Sequence, residues 1–176
     1  MGYTHYWRIK KTLGKVSNGK ELFKMAVEAT VDCIKNVPDE LPTLDWSYNE
    51  KLDKWESREG NPVPFKLCGW DGTGEPVFTG TKVSFNGDAS TGNDHESCII
   101  ELDGKESFNF CKTARKPYDV AVCIALICFH HYFGDCFTYS SDGNIEEGEE
   151  GWKLAKEITS DYFKNWVSTI GVWVNG

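Results

Sequence analysis

The chain has 176 residues, of which 40% are hydrophobic, 26% charged and 14% aromatic, so burial can offset the entropy of ordering, and disordered or collagen-like architectures are excluded. Its length suits a single globular domain, residues 1–176, that removes roughly 70% of its unfolded surface from water. With 27 acidic against 19 basic residues the net charge is -8, which argues against general nucleic-acid binding and against attachment to an anionic membrane by charge.

The opening stretch, Met1 to Trp7, is polar and aromatic and soon reaches Arg8, Lys10 and Lys11, so it reads as neither a secretory signal nor, with Tyr6 at the hydroxyl position, a myristoylation site. Residues 3–10 alternate and are rich in aromatic and β-branched side chains, which predicts a strand with Tyr3, His5 and Trp7 on one face and Thr4 and Tyr6 on the other. From Asn18 onward Leu22, Phe23, Ala26, Val27, Thr30, Cys33 and Ile34 recur at helical spacing, and Pro38 stops the helix. Residues 37–64 carry Pro38, Pro42, Pro62 and Pro64 with Trp46, Tyr48 and Trp55 among charges, and read as an ordered loop region containing one short helix.

Asp71-Gly72, Asn86-Gly87 and Asp103-Gly104 then punctuate short β-prone runs at Val77–Phe78, Lys82–Phe85, Ser97–Leu102 and Ser107–Cys111, which predicts an antiparallel meander. Pro117 opens a helix to about Tyr132, with Asp119 in its first turn, His130 and His131 in its last and Gly134 beyond. Its apolar run, Val120 to Phe129, is half the length a bilayer requires and is read as the core helix. A strand over 136–140, a turn at Asp142-Gly143-Asn144 and a last helix bearing Trp152, Ala155, Ile158, Tyr162 and Phe163 follow, and Trp166 to Val174 closes the domain as a helix turn or strand. The fold class is α+β: a mostly antiparallel sheet with a strand-helix-strand unit and about three helices.

Seven cysteines, an odd number without Cys-x-x-Cys spacing, and the absence of an Asn-x-Ser/Thr sequon indicate reduced, mostly buried thiols in a cytoplasmic protein.

Gly2-Tyr3-Thr4-His5-Tyr6-Trp7, Asp71-Gly72-Thr73-Gly74-Glu75-Pro76, Phe85-Asn86-Gly87-Asp88, Cys111-Lys112-Thr113-Ala114, Pro117-Tyr118-Asp119, His130-His131, Gly134-Asp135 and Ser140-Ser141-Asp142-Gly143 resemble patches of uncharacterised bacterial, phage and fungal proteins that open with the same hexapeptide. The resemblance covers most of the chain outside residues 37–64. It implies a free-standing cytosolic domain and no particular activity. A Glu/Gly-rich insert, Glu146 to Gly151, separates Trp152 from the Ser-Ser-Asp-Gly turn by more than in those proteins.

If strands 107–111 and 136–140 are parallel partners around the helix between them, their C-terminal ends share one edge, where open sheets bind ligands. Lys112, Arg115 and Lys116 before a helix N-terminus then form an anion site, with backbone donors at Tyr118 and Asp119 and hydroxyls from Ser140 and Ser141, suited to a phosphate-bearing or nucleotide-like ligand. The alternative is a hydrolase or transferase in which His5 is a general base paired with Asp119 or Asp142. A third reading is an interaction module whose Trp-rich loop docks a protein partner or a second copy. Cys128, His130, His131, Asp135 and Cys136 have zinc-ligand chemistry, but neighbouring helical histidines diverge by about 100°, so no metal and no cofactor is assigned. No Gly-x-Gly-x-x-Gly, Walker A loop or nucleophile elbow occurs.

Overall fold

The computed structural model describes residues 3–42, 44–146 and 151–173, with the backbone alone described for 44–48, 54–59 and 166–173. In chain order the elements are β1 (Thr4–Ile9), α1 (Gly19–Ile34), β2 (Glu40–Leu41), β3 (Leu44–Asn49), β4 (Lys54–Glu59), β5 (Val63–Pro64), β6 (Val77–Thr79), β7 (Lys82–Phe85), β8 (Cys98–Glu101), β9 (Ser107–Lys112), α2 (Asp119–Phe133), β10 (Phe137–Ser141) and α3 (Gly151–Trp173). The α+β class holds: three helices accompany small antiparallel sheets.

Alternation in β1 does what the pattern requires. Tyr3, His5, Trp7 and Ile9 are buried, whereas Thr4 and Tyr6 are half-buried and Arg8 is exposed on the other face. Strand β1 lies between β10 and β9 and is antiparallel to both, in register His5 opposite Ser141 and Cys111, and Trp7 opposite Tyr139 and Asn109. The expected strand-helix-strand unit therefore exists in a split form. Strands β9 and β10 run parallel, but β1 fills the gap between them, so they are about 10 Å apart and not bonded neighbours.

The meander is also shorter than its turn signals suggest. Strands β6, β7 and β8 form one three-stranded antiparallel sheet, while β9 leaves it after the Asp103-Gly104 turn to pair with β1. Pairing with β1 lets Cys111 face the core while Phe108 and Phe110 point outward. Residues 37–64 correct the expectation of a loop with a short helix, since β2 pairs with β5 and β3 pairs with β4 as two antiparallel ladders. Asn49 Oδ1 accepts from the N–H groups of Lys51 and Leu52, and Asp53 is left-handed at φ 51°, which closes the β3–β4 hairpin. The side chains of Trp46, Tyr48 and Trp55, on which the docking reading depends, lie outside those described. Residues 166–173 belong to α3, which is described as far as Trp173.

Helix α2 is buried on nearly every side and packs between α1 and α3, because residues 120–129 offer no polar stripe to water. Among the described residues, Asp119–Cys136 is the stretch long and apolar enough to cross a membrane, and it is 61% buried inside the protein. Phe129 stacks edge-on against Phe23 of α1 at 5.0 Å and tilts against Phe137 of β10 at 5.5 Å, joining three elements in one cluster. The seven cysteines are all free, six of them buried.

Two consequences can be measured. Leu126 is fully buried, so Leu126→Ala should lower unfolding stability by about 2–5 kcal/mol in a denaturant titration. The Lys66 ammonium at 2.8 Å, followed by Ser90 donors, holds the Asp88 carboxyl down at about 2. A depressed folded value means that this stabilisation is present above the unfolded carboxyl range near pH 4 and is lost as pH falls through about 2. Lys66→Met should flatten stability against pH across that window.

Candidate functional site

At the edge where strands β9 and β10 end, the buried polar side chains are organised around β1. Because β1 separates β9 from β10, its buried His5 stands between Cys111 and Ser141 at the C-terminal ends of both strands. The His5 ring has a partner at each nitrogen. Nε2 lies 2.7 Å from Asp119 Oδ1, and Nδ1 lies 3.1 Å from Ser141 Oγ. Of the two aspartates considered for His5, Asp119 is the partner.

Asp119 sits in the first turn of α2, where the helix dipole favours a carboxylate, and is only 4% exposed. Its Oδ1 also accepts a hydrogen bond from the buried Thr113 hydroxyl. Cys123, one turn along α2, places Sγ 3.8 Å from Asp119 Oδ2 and 3.8 Å from His5 Nε2. Burial, followed by the Asp119 charge, pushes the Cys123 thiol well above its ordinary value and keeps it protonated.

The direction of this chain of bonds is set by the His5 tautomer. With the ring proton on Nε2, His5 donates to the Asp119 carboxylate and Nδ1 accepts from the Ser141 hydroxyl. The Gly143 N–H donates to the same Ser141 oxygen at 3.1 Å. Ser141 is half-buried whereas His5 and Cys123 are fully buried, so Ser141 is the more exposed end of this chain of bonds.

Two glycines make room for the arrangement. A Cβ on Gly143 would come within 2.1 Å of Tyr3 Oη and 2.7 Å of its ring, and one on Gly151 within 2.6 Å of Asp119 Oδ2. Tyr3 and Trp152 pack edge-on against the His5 ring at 5.2 and 5.3 Å. The Trp152 indole N–H is buried beside this site and meets no acceptor among the described residues.

The anion cradle expected at this edge is rearranged. Tyr118 is buried and donates its hydroxyl to the Glu96 carbonyl at 2.7 Å, so it is a core residue; desolvation raises its phenol far above the ordinary range. The Asp119 amide is already bonded to the Lys116 carbonyl, and Lys116 Nζ donates to the Gly92 carbonyl at 2.7 Å. The Lys112 amide meets the Glu96 carboxylate at 2.7 Å, a neighbour that repels anions. Ser140 is exposed on the face opposite Ser141, as period two demands. Arg115 lies with its guanidinium carbon 4.4 Å from the Tyr3 ring centroid, in a left-handed pair with Ala114 at φ 60° and 50°.

Asp142 is also displaced from its expected role. Its carboxylate accepts the Thr4 N–H at 3.0 Å and the Tyr6 hydroxyl at 2.9 Å, so it fastens the start of β1 on the outer face. At the far end of α2, His130 Nδ1 lies 2.8 Å from the Phe137 carbonyl while His131 stacks on Phe163 at 3.8 Å. The two rings diverge as helical neighbours must. Sequence reasoning missed Thr113, Cys123, Gly143 and Gly151. The four-residue spacing from Asp119 to Cys123 was the one available signal.

Compared with protein-family models, curated proteins and solved structures, the chain matches none.

The close approach at Gly143 is testable. Gly143→Ala should lower stability by about 1–3 kcal/mol because the Tyr3 ring must move, whereas Gly80→Ala, with open space around it, should leave the unfolding midpoint nearly unchanged.

Proposed function

We propose that the protein is a hydrolase or acyl-group transferase in which Ser141 is the nucleophile, His5 the general base and Asp119 the group that orients His5. One observation carries the reading: the unbroken path Ser141 Oγ, His5 Nδ1, His5 Nε2, Asp119 Oδ1, with steps of 3.1 and 2.7 Å across the ring. In this reading Ser141 Oγ attacks a carbonyl carbon as its proton passes to His5 Nδ1, and the imidazolium formed is stabilised by Asp119. The tetrahedral intermediate collapses, the leaving group departs with the proton from Nδ1, and an acyl-serine remains. Water, or an acceptor alcohol, amine or thiol, then gives a proton to Nδ1 and attacks the ester, releasing Ser141.

The ring is used in the opposite sense from the usual arrangement, with the carboxylate on Nε2 and the hydroxyl on Nδ1. The chemistry is unaffected, since each neutral tautomer has one donor and one acceptor nitrogen. The Gly143 amide donates to Ser141 Oγ and holds the hydroxyl in place beside His5. Arg115 favours an anionic acyl substrate, because its guanidinium rests on the Tyr3 ring that itself touches His5. The anionic ligand inferred from the cationic run thus becomes the charged end of the substrate, near Arg115.

A fluorophosphonate probe tests this directly. Wild-type protein should be labelled once, at Ser141 by peptide mapping, and His5→Gln should slow labelling by about 10²–10⁴-fold. Ser141→Ala should abolish labelling and Ser140→Ala, altering the exposed neighbour, should leave it intact. Absence of wild-type labelling, or labelling that survives Ser141→Ala, would overturn the proposal.

A further inference from the structure

We infer that His5, Asp119 and Cys123 form a binding site for a thiophilic divalent cation such as Zn²⁺, and that its occupancy switches off the Ser141 nucleophile. Their donor atoms, one imidazole nitrogen, one carboxylate oxygen and one sulfur, all lie within 4.8 Å of one another. Zinc takes these three ligand types in tetrahedral sites whose donors are roughly 3.4–3.6 Å apart. The sulfur stands 3.8 Å from both His5 Nε2 and Asp119 Oδ2, so shifts of a few tenths of an ångström close those two edges. Asp119 can use Oδ2 for the metal and leave Oδ1 with the Thr113 hydroxyl, which holds the carboxylate in place.

Charge favours the same occupant. A dication with one carboxylate, one thiolate and one neutral imidazole sums to zero, which suits a buried site. The thiol that burial and Asp119 keep protonated loses its proton to the metal, because a bound cation reverses both influences. One proton is released on binding, from Cys123.

The effect on Ser141 follows from the tautomer and rests on the hydrolase reading. A metal on Nε2 needs that nitrogen's lone pair, so the ring proton moves to Nδ1 and donates to Ser141 Oγ. The ring then has no acceptor for the Ser141 proton. Binding of the metal and activation of the serine are mutually exclusive, since both use the same imidazole.

The experiment uses cobalt(II) as the probe, with reduced protein equilibrated anaerobically. Wild type should develop the visible bands of tetrahedral cobalt and a thiolate charge-transfer band. Cys123→Ser and Cys123→Ala should lose the charge-transfer band, while Cys136→Ser, altering the half-buried cysteine, should keep it. No cobalt spectrum in wild type, or one unchanged in both Cys123 variants, would overturn the site. Zinc should block fluorophosphonate labelling of wild type but not of Cys123→Ser; equal blocking of both would overturn the switch. The spectra do not depend on Ser141 reactivity, so an unlabelled wild type that binds cobalt through Cys123 refutes the hydrolase reading alone.

Discussion

The His5–Asp119 hydrogen bond is the interaction around which this end of the molecule is organised. Both side chains are almost wholly removed from water, and a carboxylate in such a place is tolerated only when donors surround it. Those donors come from separate parts of the chain: His5 from β1, Thr113 from the segment after β9 and Cys123 from α2. The first residue of α3, Gly151, lies against Oδ2, the oxygen that Cys123 also approaches. One carboxylate therefore ties β1, the end of β9, α2 and the start of α3, and its desolvation cost is the reason each must be in place.

The order of the strands makes this possible. Were β9 and β10 bonded side by side, the crossover helix would cover a two-strand ladder and the edge would hold only Cys111, Lys112 and the serines. Insertion of β1 brings an imidazole to the middle of that edge and fastens it from both sides. The chain continues the pairing beyond the strand ends, with Thr113 N–H on the Tyr3 carbonyl and Asp142 N–H on the Thr4 carbonyl. A side chain held by backbone on two flanks keeps its geometry, as a relay of hydrogen bonds requires.

The two faces of this sheet have different fates. Inward, alternate residues meet α2 and supply the polar chain. Outward, Tyr6 stacks on Phe108 at 5.7 Å, and Phe108 and Phe110 stay more than half exposed. Asp142 belongs to the outer face, where it bonds Tyr6, although the residue before it in sequence bonds His5. One step past the end of β10, where the pairing with β1 continues, separates a structural clasp from the proposed nucleophile, because successive side chains in extended chain point to opposite sides.

Local pattern determined the α+β class, the three helices, the strand of residues 3–10 with its buried and outward faces, and the core role of residues 120–129. These are consequences of period, capping and turn residues, which act within a few positions of one another. Residues 37–64 were less legible, because the four prolines argue for loop, while β3 and β4 pair as a hairpin and β2 pairs with β5 across it. The choice of Asp119 over Asp142, the conversion of Tyr118 and Lys116 from ligand contacts and of Asp142 from a catalytic candidate to structural residues, and the meeting of Ser141, His5 and Cys123 were decided by tertiary structure alone. His5 is 114 residues from Asp119 and 136 from Ser141, and no periodicity carries information across such separations. Only the pairing of β1 between two later strands, driven by burial of its inner face against α2, brings those atoms within hydrogen-bonding distance.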